Sequence, residues 1–557
     1  MRIPGSIRRL DRAAFVLLLV SAAFAVAATT AGRRFYDDDP IAREPESQDA
    51  SGAAAWDIGL MYDLTYNLFV STRRPVENIR ARNVNTIDEV PDSSWFTNRL
   101  GARAVPIDEA VRGPNVGPAP TPGRWTLIRE KTSGFAPGFT ARDPKGETWF
   151  VSFDPPSNPD GATGSIVVAT KIFWALGYNQ VENFITSIHL DDLDIDPKAT
   201  YRQPSGERTP LKKGELEAVM RRAHRGPDGS YRATAGRAIG GKILGGFRYH
   251  DTRPDDPNDV VPHQHRRELR ALRVFGAWTN LTDMKAGNTL DTLVTENGRQ
   301  VVKHYLQDVG STFGIGANGP HEWDEGWEYL YQGNTTLKRL GTLGFWFSPW
   351  QTADYEDYDA IGRFEGDSFD PETWRPRVPT MAYLHMRDDD AFWAARRVMA
   401  FSDDLIRAIV KTGQYSDPAA EQYLADVLIK RRDKIGRAYL PKINPIVDPV
   451  LSAAGVLTFG NAAVKYKFAS MPESYKAVWY SFDNTTGESS RITETRSKGE
   501  QMAAPTTLST TPGSFVRVEL SASSAEHPSW ARPIQVYFTH RGGQWTLVGL
   551  ERVPDGQ

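Results

Sequence analysis

The 557-residue chain contains no cysteine. That absence excludes disulfide bonds, zinc–thiolate sites, a thiol nucleophile and lipid attachment at an N-terminal cysteine. The folded chain must therefore be stabilised by its packed core alone. The absence also suits a cell envelope, where stray thiols would be oxidised.

An excess of charge of one sign is missing too, because 66 Lys and Arg face 69 Asp and Glu, a net charge of −3 at pH 7. Nucleic-acid binding uses a surplus of cationic side chains that neutralise phosphates, so the sequence predicts no nucleic-acid partner. The motifs Gly-x-Ser-x-Gly, His-Glu-x-x-His and Gly-x₄-Gly-Lys-Ser/Thr are also absent. Nothing in the sequence therefore favours a serine hydrolase, a zinc protease or a P-loop enzyme.

Residues 1–28 are predicted to be a signal peptide. Four arginines within the first twelve residues precede an uncharged apolar run at 13–28 whose small residues offer cleavage sites. The alternative is an uncleaved anchor, because 13–32 is just long enough to span a bilayer. We expect a secreted or periplasmic protein whose partner is a protein or another envelope component, with membrane contact only if the segment is uncleaved.

Composition and periodicity divide the rest of the chain into four parts. Residues 29–123 are predicted to be a polar linker followed by a helical extension with its first packed helix at 56–70. Residues 124–235 carry strand patterns at 124–131, 139–142 and 148–153, then a helix at 162–177 that ends in glycine.

The two later parts differ in their elements. Residues 236–442 are predicted to be mainly helical, with helices at 389–412 and from Pro418 to about Leu440. Residues 443–557 show short strand patterns, among them 464–468, and predict an all-β domain of sandwich type. The fold class is therefore α+β.

The pattern that carries chemistry lies between 277 and 314, where Asp283 is followed by Asn288 and, after a turn and a strand, by Asp308. Phosphoryl transfer uses an oxygen base near the acceptor hydroxyl and hard oxygen ligands for Mg²⁺. Asp283 could be the base, with Asn288 and Asp308 as metal ligands. The alternative is a helix cap, a loop asparagine and a turn aspartate without chemistry.

In this order of elements the stretch from about 124 to 440 resembles the protein-kinase-like superfamily, in particular HipA-like, CotH-type and secretory-pathway kinases. Several short sequence segments of this chain also resemble those of a group of bacterial exported proteins. The kinase resemblance implies a bilobal core, with 124–235 as the small lobe and 236–442 as the large lobe. It also implies ATP with Mg²⁺ or Mn²⁺, with Gly134 and Gly138 in the phosphate-binding loop.

The sequence departs from the kinase pattern at the residues that hold the α- and β-phosphates. Ser152 stands on the third strand where a lysine is expected, and the helix at 162–177 has no acidic residue, with Ser165 and Ile166 near the expected position. Lys131 and Arg142 are two cations on neighbouring strands that could replace that lysine. The alternative for both is an exposed strand charge.

Three arginines precede the Asp283 segment at helical spacing: Arg266, Arg270 and Arg273. They predict either a phosphate-receiving helix face or ion pairs with Asp255, Asp256 and Asp259.

Two functions remain open from the sequence. One is an exported phosphotransferase or nucleotidyl transferase with an atypical site. The other is a pseudokinase that acts as a binding or scaffold protein in the cell envelope.

Overall fold

The computed structural model describes residues 32–131, 136–203, 207–331, 341–342 and 348–553 of a mixed α/β chain. The chain divides into two compact units. The larger comprises Ile41–Pro445, Asn461–Met471 and the chain from Arg552, and the smaller comprises the chain up to Pro40 with Ile446–Gly460 and Pro472–Glu551. The predicted signal peptide lies outside the described residues. Within those residues, none of the helices is both long and apolar enough to cross a membrane.

A mixed seven-stranded sheet occupies one part of the larger unit. Its strands are β1 (Trp125–Glu130), β2 (Gly138–Arg142), β3 (Thr148–Phe153), β4 (Asn183–Ile188), β5 (Leu193–Arg202), β6 (Arg208–Pro210) and β7 (Tyr231–Arg237). They lie in the order β4-β7-β3-β2-β1-β5-β6, and only the β1–β5 pair is parallel. Alternating residues such as Trp125, Phe139 and Trp149 are buried together. The strands predicted at 124–131, 139–142 and 148–153 are confirmed to within one residue.

Helix α3 (Gly161–Leu176) confirms the helix predicted at 162–177. Val168, Ala169 and Phe173 are completely buried, so the helix is apolar on more than one face. The helix ends at Gly177, whose φ is +125° and where an added Cβ would lie 2.2 Å from the ring of Phe96. Glycine fits there because it adopts a positive φ and leaves room for that ring.

The remaining elements of the larger unit are mainly helical. They are α1 (Leu60–Thr65), α2 (Ile107–Arg112), α4 (Lys213–Met220), α5 (Arg267–Thr279), α6 (Met381–Leu384), α7 (Asp388–Met399), α8 (Asp403–Lys411), α9 (Pro418–Tyr439) and α10 (Ala462–Lys465), with strands β8 (Lys242–Gly245), β9 (Leu290–Glu296), β10 (Arg299–Tyr305), β11 (Ile315–Gly316) and β12 (Gly319–Pro320). Asn297 and Gly298 both have positive φ and form the tight turn between β9 and β10.

The single helix predicted at 389–412 is wrong, because the structure has α7 and α8 there. Ser402 begins α8, and its side chain accepts a hydrogen bond from the backbone N–H of Leu405 at 3.2 Å. A serine at this position satisfies one of the free N–H groups of a new helix, which periodicity alone does not reveal.

The arginines before the Asp283 segment are buried and make ion pairs, mostly with carboxylates other than the predicted ones. At most 1% of each side chain is exposed in Arg266, Arg267 and Arg270. Asp390 contacts Arg267 at 3.0 Å and Arg270 at 3.1 Å, and Glu44 contacts Arg266 at 3.0 Å. Of the predicted partners, Asp259 lies 3.7 Å from Arg266. The guanidinium of Arg273 lies over the ring of Tyr383. The cluster is a buried structural network.

The polar segment predicted as a linker is packed where the structure describes it. In the larger unit, Ala50 and Ala53 are buried in a small apolar cluster. The carboxylate of Glu46 accepts a hydrogen bond from the backbone N–H of Ser94 at 2.8 Å. The helix predicted at 56–70 begins later, at Leu60, and continues beyond α1 as a wide turn at Tyr66–Val70.

The smaller unit is rich in β structure, as predicted for the C-terminal region. Its strands are β13 (Ile446–Leu451), β14 (Val456–Asn461), β15 (Ser474–Phe482), β16 (Ser489–Ser497), β17 (Gln501–Ala503), β18 (Phe515–Ser523), β19 (Ile534–Arg541) and β20 (Gln544–Glu551). They form a sheet β13-β14-β17 and an antiparallel sheet β16-β15-β18-β19-β20, and the rings of Phe459 and Tyr475 connect the two with centroids 5.0 Å apart. The strand predicted at 464–468 is wrong, because α10 occupies its start and Asn461 caps that helix.

Candidate functional site

Asp283 lies in the loop that connects α5 to β9. Asn280 ends α5 in the left-handed conformation, which turns the chain into this loop. The side-chain amide of Asn288 donates to the backbone oxygen of Asp283 at 2.8 Å and to its carboxylate Oδ2 at 3.0 Å. The Nζ of Lys285 contacts the same Oδ2 at 2.7 Å. The side chains of Asn288 and Lys285 both contact Oδ2, so Oδ1 is the oxygen that can accept a further hydrogen bond.

A buried carboxylate from the N-terminal part of the chain supports this loop. Asp63 on α1 accepts a hydrogen bond from the backbone N–H of Ala286 at 2.9 Å, and its other oxygen accepts from the amide of Asn67 at 3.0 Å. Burial raises the pKa of Asp63, whereas these hydrogen bonds favour its charged form. The segment before the seven-stranded sheet is therefore part of the framework of the site.

Asp308 follows strand β10 and lies beside the same loop. Its backbone N–H donates to the backbone oxygen of Asn288 at 3.0 Å, and its Oδ1 accepts from the N–H of Gly310 at 3.0 Å. Ser165 on α3 donates from Oγ to the backbone oxygen of Gly310 at 3.0 Å. Hydrogen bonds thus bring together Asp283, Asn288 and the loop of Asp308, with α3 attached behind that loop.

Lys131 approaches Asp308 from the end of β1. Its Nζ donates to the Oγ of Ser152 at 3.1 Å, and Ser152 is the residue that stands where a lysine was expected. Burial lowers the pKa of Lys131, and the negative charge of Asp308 acts in the opposite direction. Lys131 is therefore a partly desolvated cation that is held by Ser152 and interacts electrostatically with Asp308.

Gly138 lies directly beside these residues. It pairs with Ser152 across β2 and β3, and its carbonyl accepts from the N–H of Lys131 at 3.3 Å. An added Cβ at Gly138 would lie 2.2 Å from the carbonyl oxygen of Val151, so a side chain does not fit. Gly134, the other predicted loop glycine, lies outside the described residues.

The structure does not bring Arg142 to the other candidate residues. It lies at the far end of β2, where it pairs with Thr148 and leads into the turn at Asp143–Gly146. Its guanidinium is 3.9 Å from the carboxylate of Asp196 on β5, and both side chains are partly exposed. The exposed-charge interpretation fits Arg142, and of the two predicted cations only Lys131 reaches the site.

The side-chain oxygens of this site suit a hard divalent cation. The amide nitrogen of Asn288 is used by Asp283, which leaves its amide oxygen as a ligand, and the Gly310 contact occupies only Oδ1 of Asp308. Mg²⁺ and Mn²⁺ prefer carboxylate and amide oxygens and take further ligands from phosphates and water. Across the described part of the chain, no group of three or more His, Asp or Glu side chains is arranged to hold a metal ion. The amide oxygen of Asn288 and Oδ2 of Asp308 are the ligands that this site offers to such a cation.

Two residues of this site were missed from the sequence. Lys285 stands two residues after Asp283 and three before Asn288, and this spacing on one loop could have indicated a cation beside the base. Asp63 carries no such signal, because its contact with Ala286 joins residues 223 positions apart.

No family model matches the chain. No curated protein matches it either. Among solved structures, the Golgi casein kinase with Mn/ADP bound is 9% identical and has a TM-score of 0.30, and the match covers 59% of this chain and 76% of that one. The Helicobacter pylori proinflammatory kinase CtkA is 12% identical with a TM-score of 0.28, covering 55% and 94%. These similarities are weak.

Proposed function

We propose that this protein is an exported, kinase-like phosphotransferase that uses a nucleoside triphosphate, ATP in the first instance, with Mg²⁺ or Mn²⁺. One observation carries the proposal. Asp283, Asn288 and the loop of Asp308 are joined by hydrogen bonds, and the partly desolvated cation of Lys131, just after β1, interacts electrostatically with Asp308. A base, two oxygen ligands and a cation at one place are the groups that phosphoryl transfer requires.

Each residue has a separate role in this proposal. Asp283 accepts the proton of the acceptor hydroxyl through Oδ1, while Asn288 and Lys285 hold its carboxylate in place. Lys131 binds phosphate oxygens, and Lys285 stabilises the negative charge of the transferred group. Asn288 and Asp308 would hold the divalent cation, which supplies charge neutralisation for the phosphates when bound.

The position of Lys131 accounts for the missing lysine and glutamate of the kinase pattern. A lysine on β3 needs a carboxylate on α3 because an unpaired buried charge is costly. Lys131 comes from β1 and has Asp308 as its negative neighbour, so α3 needs no acidic residue. Ser165 instead connects α3 to the Asp308 loop by a neutral hydrogen bond. The site is atypical because its lysine, Lys131, directly follows β1 instead of lying on β3.

A non-catalytic binding protein is the second candidate. It is favoured by the carboxylate of Asp283, which already contacts Lys285 at 2.7 Å and Asn288 at 3.0 Å. If no acceptor hydroxyl reaches Oδ1, these contacts only hold the loop in place and no phosphate is transferred. A pseudokinase of this kind would bind nucleotide and metal without transferring phosphate.

Export and partners belong to the same proposal. The signal peptide predicted at 1–28 favours a secreted or periplasmic location and an envelope protein or other envelope component as the partner. N-terminal sequencing of the protein recovered from cells tests this directly. A mature N-terminus near residue 29 in the extracytoplasmic fraction supports export, whereas an intact Met1 in the cytoplasmic fraction opposes it.

Thermal unfolding with and without nucleotide and metal tests the proposed site. A ligand at a hundred times its Kd adds about 2.7 kcal/mol to the free energy of unfolding. We expect this gain with ATP and Mn²⁺ or Mg²⁺, and its loss in Asp308→Asn. Release of nucleoside diphosphate indicates phosphotransfer, and release of pyrophosphate indicates nucleotidyl transfer. No stabilisation by any nucleotide and metal would refute both kinds of enzyme.

A further inference from the structure

A serine–histidine pair lies immediately after the Asp308 loop. The Oγ of Ser311 is 2.9 Å from Nε2 of His321, and the two residues come from the two sides of the β11–β12 hairpin. The backbone N–H of His321 donates to the carbonyl of Gly314 at 2.8 Å, which fixes the histidine against this hairpin. Neither residue has a role in the proposed metal and nucleotide site.

The surroundings of His321 favour a neutral ring that accepts a proton. The residue is 5% exposed, and burial lowers its pKa. The charges of Glu325 and Asp283 act in the opposite direction, and the charge of Arg377 acts with burial. Nδ1 lies 3.6 Å from the carboxylate of Glu325, beyond hydrogen-bond distance, and that negative charge favours the tautomer with its proton on Nδ1. Nε2 then carries the lone pair, and Ser311 donates its hydroxyl proton to it.

This arrangement activates a serine oxygen. A hydroxyl that donates to a neutral histidine, whose other nitrogen faces a carboxylate, is a nucleophile with its base in place. Ser311 is half-buried and therefore retains access from outside, in contrast to its neighbour Thr312, which is fully buried.

Two connections join the pair to the proposed site. Gly310, which precedes Ser311, donates its N–H to Oδ1 of Asp308 at 3.0 Å. Thr282, which precedes Asp283, donates from Oγ1 to Oε2 of Glu325 at 2.7 Å. Ser311 lies three residues after Asp308. His321 faces Glu325, which is hydrogen-bonded to Thr282, the residue before Asp283. Ser311 is thus connected to both carboxylates of the site through short paths of covalent and hydrogen bonds.

We propose that Ser311 is a site of self-phosphorylation, with His321 as its proton acceptor. The inference rests on the proposed function. Ser311 Oγ forms a bond to the γ-phosphorus of a nucleoside triphosphate, and the bond from that phosphorus to the β–γ bridging oxygen breaks. The hydroxyl proton passes to Nε2 of His321 and then to solvent, and the nucleoside diphosphate leaves.

The first experiment incubates the full chain with Mn²⁺ and ATP and maps the phosphorylated residue by mass spectrometry. We expect one phosphate on Ser311, none in Ser311→Ala, and a rate about 10²- to 10⁴-fold lower in His321→Gln, the usual range for loss of a general base. Thr312→Val is the matched control, because it removes the neighbouring hydroxyl without changing the shape of the side chain. It should be phosphorylated like the unaltered chain.

Two further measurements separate this inference from the proposed function. With EDTA and without nucleotide, a fluorophosphonate reagent should label Ser311, and the labelling should be weaker in His321→Gln. Because donor and acceptor belong to one molecule, the fraction phosphorylated per minute should not change on about tenfold dilution of the protein. Stabilisation by Mn²⁺ and ATP, measured in parallel, reports on the proposed site alone.

The outcomes are distinct. Phosphate on Ser311 that depends on His321 and is independent of protein concentration supports the inference. Stabilisation by nucleotide with Ser311 unmodified overturns the inference and leaves the proposed function standing, as does a rate that is unchanged in His321→Gln. A rate proportional to protein concentration overturns transfer within one molecule. If nucleotide neither stabilises the protein nor modifies Ser311, both proposals fail.

Discussion

Replacing Lys131 by methionine removes the cation that faces Asp308 and keeps the length of the side chain. The amine is partly desolvated, which lowers the pKa of Lys131, and its contact with Ser152 is a single hydrogen bond of 3.1 Å. Burying methionine there costs little. We therefore expect the free energy of unfolding without nucleotide to stay the same or to rise slightly.

Nucleotide binding should change much more. A hydrogen bond to a charged group contributes about 2 kcal/mol, so its loss raises the Kd for nucleotide about 30-fold. At a nucleotide concentration a hundred times the original Kd, the stabilisation of the protein then falls from about 2.7 to about 0.9 kcal/mol. The difference is large enough to measure in a urea titration with and without Mn²⁺ and ATP.

The chain offers two controls for this experiment. Lys145 is exposed in the turn after β2, so Lys145→Met should leave nucleotide binding unchanged. The double variant Lys131→Met/Ser152→Lys returns a cation to the same place from β3 and should restore part of the binding. Equal stabilisation by nucleotide in Lys131→Met and in the unaltered chain would refute the assignment of Lys131.

Three other changes have defined outcomes. Asn288→Ala releases the carboxylate of Asp283, so phosphate transfer should fall by at least about tenfold while the circular dichroism spectrum is retained, and unchanged transfer contradicts that role. Asp390→Ala leaves Arg267 and Arg270 without their shared buried partner and should lower the free energy of unfolding in urea by about 3–5 kcal/mol, whereas a loss below about 1 kcal/mol contradicts the buried network. The pKa of His265 is lowered to about 4, by burial first and then by the charge of Arg270, so the folded chain binds a proton less readily than the unfolded chain. Stability should therefore fall as the pH falls from about 6.5 towards 4, and His265→Asn should make the pH dependence of urea unfolding shallower; an unchanged slope contradicts this.

The local elements were predictable from the sequence because each depends on neighbouring residues. The alternation of Thr148–Phe153 and the glycine that ends the helix at Gly177 act over a few positions. The predictions failed where a distant partner decides the outcome. The segment before the sheet was predicted to be a linker because it is polar, yet its alanines are covered by strands about 190 to 250 residues later.

The candidate site, too, was predictable where it depends on nearby residues and not where it depends on distant ones. The spacing of Asp283, Asn288 and Asp308 was visible in the sequence, since one hairpin separates them. Whether Lys131 or Arg142 reaches the site was not visible in the sequence, because it depends on which end of β2 faces the Asp308 loop. That direction follows from the pairing of Gly138 with Ser152, which only the folded sheet establishes.

The most direct test of the proposed site is electron paramagnetic resonance of Mn²⁺ titrated into the protein with and without ADP. The signal of free Mn²⁺ should decrease by about one equivalent per chain when ADP is present, because the protein and the nucleotide share the ligands of the ion. Asp308→Asn should abolish this binding beyond the amount that ADP alone removes. A signal that falls no further with protein and ADP than with ADP alone, or binding that is identical in Asp308→Asn, would contradict the proposed site.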